Sequence, residues 1–192
     1  KFTRIVSPRT VPTLSCRPES RPRFGPRTNE GPGAPRIGDS LRTTARLSEI
    51  PNIVAIKAPG DLVQMSEIIA ATRDDFIVLS GDDPVAVATM AIGGAGVVSG
   101  ASNEAPSEVG EIIGLWERND FAAARKLHHW LLPLLQVNFA ESNPIPCKAA
   151  MAAMGLLEEH YRLPMVPPRP ASQQKILDIL RDLGLPVLAA QH

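Results

Sequence analysis

Pro51-Asn52-Ile53-Val54-Ala55-Ile56-Lys57 is the stretch that decides how this chain is read. The apolar run is β-branched at Ile53, Val54 and Ile56, as suits a short buried strand, and Lys57 closes it. An ammonium is costly to desolvate. A lysine held in such a place is pushed toward the neutral amine, the form that attacks carbonyls and makes Schiff bases. At the carboxyl end of a strand in a (β/α) barrel it would stand where active sites are built. The plain alternative is a strand-end lysine whose stem lies on apolar surface and whose head reaches water.

Outward from Lys57, strand and helix patterns alternate. Leu41–Ile50 reads as a short helix and Ile53–Lys57 as a strand. Asp61–Ala71 follows as a helix with Leu62, Met65, Ile68 and Ile69 on one stripe. Phe76–Ser80 is a second strand, ending in Gly81-Asp82-Asp83. Pro84–Ile92 is a helix with proline in its first turn, and Gly96–Ser99 is a third strand. Such alternation implies a parallel sheet. The remainder is helical: Pro106–Trp116, then Phe121 to about Phe139 capped by Asn119 or Asp120, then Pro144–Leu157. A last helix spans Gln173–Leu183, with Ser172 as its cap and Gly184 as its stop. Trp116 and Trp130 read as helix-packing residues.

Four motifs recur in order: Asn52-Ile-Val-Ala-Ile-Lys57, Ser80-Gly81-Asp82-Asp83, Gly93-Gly-Ala-Gly96-Val-Val98-Ser99 and Glu141-Ser-Asn143-Pro144-Ile-Pro146. With these, the chain from about Thr43 to Leu185 resembles the carboxyl-terminal half of the dihydrodipicolinate synthase family. These are pyruvate-dependent class I aldolases of the N-acetylneuraminate lyase superfamily. The resemblance implies an α/β fold, a partial (β/α)8 TIM barrel holding strands six to eight, followed by a carboxyl-terminal helical bundle. The expected organisation is a basic segment at 1–40, partial barrel at 41–104 and helices at 105–192.

The resemblance also implies roles. Lys57 would be the Schiff-base lysine that condenses with the pyruvate keto group. Val98 would offer its backbone carbonyl to bound pyruvate, a contact that a core valine can make without any special side chain. Gly81 would let a ligand approach closely at the mouth of its strand, though a simple strand-end turn also explains a glycine there. The second substrate would be an aldehyde, aspartate 4-semialdehyde in the route to lysine, or a sugar-derived aldehyde if the chain is a related sugar-acid aldolase. No cofactor beyond the lysine is implied. The chain departs from the family just after Lys57, where Ala58-Pro59-Gly60 makes a loop one residue shorter, without the usual acid. The family's proton-shuttling tyrosine precedes the lysine. Here the one tyrosine is Tyr161, so a truncated, weakly active or inactive form is expected, or a non-catalytic half-barrel. Family members are commonly homo-oligomers, and exposed strand edges would add a route to association.

Composition adds bounds. The 192 residues suffice for a real core, and the formal net charge is zero. Residues 1–46 hold ten bases against three acids, and the rest ten bases against seventeen acids. Prolines at 8, 12, 18, 22, 26, 32 and 35 break any period in the first forty residues. That stretch is expected to be disordered or frame-disrupted, apart from a short strand at Lys1–Val6. A basic tail for nucleic acid or an acidic partner is the less favoured alternative. Neither nucleic acid nor membrane is expected as a partner. Cys16 and Cys147 have no metal-ligand spacing, which together with the lack of a secretory pattern suggests the cytoplasm. Asp82 and Asp83 read as turn and cap residues, and His128, His129, His160 and His192 as non-catalytic. No metal is expected.

Overall fold

The computed structural model describes Arg4–Val6 and residues 38–188. The elements in order are β1 (Arg4–Val6), α1 (Gly38–Ser48), β2 (Ala55–Ala58), α2 (Leu62–Ala71), β3 (Ile77–Ser80), α3 (Ala86–Ala91), β4 (Gly96–Ser99), α4 (Pro106–Glu117), α5 (Phe121–Val137), α6 (Ile145–Ala153) and α7 (Pro170–Asp182). The expectation for residues 1–40 lies outside the described residues, except for β1 and the first turn of α1. The chain divides into two compact units, one formed by Ile5–Val98 and the other by Ser99–His192 with Lys1–Arg4. The division falls at Ser99, ahead of residue 105, where the helical region was expected to begin. Just past it the Ser102 amide donates to the Ser99 hydroxyl at 2.9 Å, in the turn that leads toward α4.

In the first unit the sheet order is β1-β4-β3-β2. β2 runs parallel to β3 with Lys57 opposite Leu79, and β3 runs parallel to β4 with Leu79 opposite Gly96. The alternation of strand and helix therefore gives the parallel sheet it implies. Of the two strand edges expected to stand open, the one at β2 does so among the described residues, whereas β4 is covered by β1, which becomes the other edge of the sheet.

Side chains alternate across the sheet. Ile56, Ala58 and Val78 point to one face, where they pack with Met65, Ile68 and Phe76. Leu41, Leu62 and Ile69 close over this core, so the α2 stripe read from the sequence is the buried one. Met65 is fully buried, and full burial of such a side chain stabilises by about 1.5–3 kcal/mol. Asp61 caps α2 by accepting from the Gln64 amide at 2.9 Å. On the other face Leu79, Ala95 and Val98 form a smaller cluster with Ile77 beside it.

In the second unit α4 packs on α5, and α7 lies against α5 and α6. Asp120 caps α5 through the Ala123 amide, and Trp116 packs against Phe121 in a tilted arrangement at a centroid distance of 4.6 Å. Trp130 is 43% exposed and so does less packing than expected. The Pro84 helix divides into a 3-10 turn at Asp83–Val85 and then α3. α6 stops before Gly155, whose φ is +75° and against which the Leu188 side chain packs. α7 begins at Pro170 rather than at a Ser172 cap. Proline at N1 presets the first helical φ. The acceptor comes from elsewhere in the chain, since Glu141 Oε1 takes the Arg169 amide at 2.9 Å. Gly184 does stop α7 in the left-handed region, at φ +67°.

Candidate functional site

The three residues singled out from the sequence lie on three adjacent strands or at their ends. Lys57 sits in β2, Val98 in β4, and Gly81 directly follows β3. Lys57 and Leu79 are register partners and so share a face, and Leu79 packs with Val98. That is the face opposite the α2-covered core. The sheet thus brings Lys57 and Val98 to one side, near the carboxyl ends of parallel strands.

Gly81 is fitted closely to Lys57. A Cβ at Gly81 would lie 2.8 Å from Lys57 Cε, 2.9 Å from Pro59 Cα and 2.9 Å from Pro59 N. Any side chain would collide with the lysine stem and with backbone. Gly81 also donates its amide to the Ala58 carbonyl at 2.9 Å, which carries the β2–β3 pairing one residue past the strands. The glycine is therefore more than a strand-end turn: the lysine stem lies over it.

Lys57 itself is exposed. Of the two placements the sequence left open, buried amine or strand-end lysine reaching water, the second is the one observed. β2 is an edge strand of the sheet, and among the described residues no strand pairs on its outer side.

Two further groups shape the site, and no local pattern announced their roles. The Asp82 carboxylate accepts from the Gly60 amide at 3.1 Å, across 22 residues of sequence. The Ser80 hydroxyl donates to the Asp82 carbonyl at 2.8 Å and accepts from the Asp82 amide at 3.1 Å. Asp82 was read as a turn residue, which it is, but its carboxylate also ties the loop after β2 to the loop after β3. Asp83 is buried in the 3-10 turn. Among the described residues no group of three His, Cys, Asp or Glu is placed to hold a metal ion. His128 and His129 are neighbours on α5 with ring centroids 6.1 Å apart, within the helical unit. No described helix is long and apolar enough to cross a membrane.

An exposed lysine on a parallel sheet, backed by a glycine that admits its stem, is an arrangement with relatives. The sequence profile of the Dihydrodipicolinate synthetase family matches residues 37–183. The chain belongs to this family. It is 46% identical over 155 residues to the 4-hydroxy-tetrahydrodipicolinate synthase of Koribacter versatilis, covering 80% of this chain and 52% of that protein. It is 42% identical over 155 residues to that of Thermodesulfovibrio yellowstonii, with 80% and 53% covered. Among solved structures, dihydrodipicolinate synthase from Aquifex aeolicus superposes with a TM-score of 0.75 at 37% identity, over 78% of this chain and 52% of that one. The Thermotoga maritima enzyme gives 0.73 at 34%, over 75% and 50%. The Acinetobacter baumannii enzyme, solved in complex with pyruvate, gives 0.72 at 36%, over 76% and 50%. The chain thus spans about half the length of the dihydrodipicolinate synthases it matches.

Proposed function

We infer that β2, β3 and β4 are strands six, seven and eight of a dihydrodipicolinate synthase barrel and that Lys57 is its Schiff-base residue. The observation that carries this is the close fit of the Lys57 stem to Gly81 on the face shared with Val98. In the reaction, the Lys57 amine adds to the keto carbon of pyruvate, and uptake of one proton with departure of water gives an iminium. Loss of a methyl proton then makes an enamine. The enamine carbon attacks the aldehyde of aspartate 4-semialdehyde, and hydrolysis of the imine returns the amine. Val98 contributes its backbone carbonyl to pyruvate, and Gly81 leaves room for the ligand and the lysine stem.

Tyr161, the sole tyrosine, follows Lys57 by about a hundred residues and lies beyond α6, hydrogen-bonded to Glu159 at 3.1 Å. No phenol precedes the lysine. General acid–base help of that kind is typically worth about 10²–10⁴ in rate. The 192-residue chain alone is therefore a slow catalyst, and a coupled assay with pyruvate and aspartate 4-semialdehyde is expected to read near background.

The test is borohydride trapping with pyruvate, read by peptide mass mapping. A slow adduct confined to Lys57, absent in Lys57→Ala, is expected. Labelling spread evenly over Lys57, Lys126, Lys148 and Lys175 would refute the assignment. Ordinary enzyme turnover by the chain alone would refute the account of its rate.

A further inference from the structure

Lys57 is held by a loop that would otherwise have little to fix it. The turn after β2 runs Pro59-Gly60-Asp61, with Gly60 at φ +119°. That conformation is open to glycine and rarely adopted by other residues, so the turn is intrinsically loose. Two contacts bind it from the β3 side. Pro59 backbone lies over Gly81, and the Gly60 amide donates to the Asp82 carboxylate at 3.1 Å. Asp82 is itself pinned, because the Ser80 hydroxyl is hydrogen-bonded to both its amide and its carbonyl. Ser80 is fully buried and lies in β3, opposite Ala58 of β2. The chain of contacts runs from a rigid strand through Asp82 to the loop that leaves Lys57.

We propose that Asp82 is a positioning residue for Lys57, its carboxylate latching the Gly60 amide so that the lysine stem stays seated on Gly81. This rests on the reading of Lys57 as the Schiff-base residue. The role belongs to the acceptor oxygen rather than to the charge: an asparagine at 82 keeps an oxygen for the Gly60 amide, and an alanine does not. The latch acts on orientation, and misplacement of a reacting group by an ångström can lower a rate by about a hundredfold.

The experiment compares the 192-residue chain with Asp82→Ala, Asp82→Asn and Lys57→Ala. Three quantities are read: amide hydrogen exchange of the segment containing Gly60, the limiting rate of borohydride-trapped pyruvate adduct at Lys57, and the melting temperature. In Asp82→Ala, exchange at Gly60 should quicken and the limiting trapping rate fall, each by about tenfold, with the pyruvate concentration at half-maximum little changed. Asp82→Asn should stay near the parent in both. A purely structural role would lower the melting temperature in Asp82→Ala while leaving the limiting trapping rate of the folded protein intact, and that result overturns the proposal. Unchanged Gly60 exchange in Asp82→Ala overturns it as well. If the parent chain forms no adduct at Lys57 while Gly60 exchange does quicken in Asp82→Ala, the Schiff-base reading falls and the latch stands as a loop contact. If adduct forms equally fast in parent and Asp82→Ala, the Schiff-base reading stands and the positioning role falls.

Discussion

Gly81 shows how much one position can carry at the scale of a residue. Lysine Cε is the far end of a flexible chain and can swing away from a new methyl group, but the Pro59 backbone at 2.9 Å cannot. Gly81→Ala must therefore push the β2 loop outward. A loss of about 1–3 kcal/mol is expected from overpacking, measured as a lower urea midpoint, together with weaker trapping of pyruvate at Lys57. Gly110 offers the opposite case. It lies inside α4, and a Cβ there meets nothing within 4 Å. Gly110→Ala is expected to stabilise by about 0.5–1 kcal/mol, since alanine restricts the unfolded chain and favours helix. Equal effects of the two substitutions would contradict the packing described around Lys57.

Among the elements, α7 depends on a carboxylate that is distant in sequence. Glu141, between α5 and α6, is hydrogen-bonded by Ser172 and by the Arg169 amide, which hold its pKa below the ordinary 4.5. A carboxylate at a helix start also meets the positive end of the helix dipole. Because the folded pKa is the lower one, this contribution is fully present above the ordinary carboxylate range. It is lost as pH falls through the lowered value. Urea midpoints followed from pH 7 downward should therefore decline in the parent protein. Glu141→Gln should decline less steeply, having no proton to take up at that site. Parallel curves for the two proteins would show that Glu141 does not support α7. The same contact accounts for the cap-like position of Ser172. Ser172 does belong to the cap, as a partner of Glu141 and not as the N-cap itself.

At the scale of the whole molecule, the sheet ends at β2. The edge carries Ala55–Ala58, a short apolar strand with one lysine. Unpaired strand edges template association, and lysine on an edge opposes it only in part. Sedimentation velocity over a range of concentrations is expected to show reversible or irreversible association. A single monomeric species at every concentration would count against an accessible β2 edge. Association through this edge and Schiff-base chemistry at Lys57 draw on the same strand, so pyruvate trapping should weaken as the associated fraction grows.

The strand–helix alternation, the α2 stripe, Asp120 as one of two candidate caps of α5 and the Gly184 stop were legible in the sequence, whereas Asp61 was read as helical and proves to be the cap of α2. Each rests on forces acting within one or two turns of chain: side-chain periodicity, a carboxylate reaching a nearby amide, the freedom of glycine at positive φ. Lys57 and Gly81 were legible as residue types in an ordered set of motifs. What the sequence could not supply was the environment of Lys57. Burial is a property of everything packed around a group; the open edge of β2 followed from the resemblance to strand six and not from any pattern in Ile53–Ile56. The Asp82–Gly60 latch and the Glu141 cap of α7 join residues more than twenty positions apart. Such hydrogen bonds leave no periodic trace, because their partners meet only after the sheet and the helical unit have each folded.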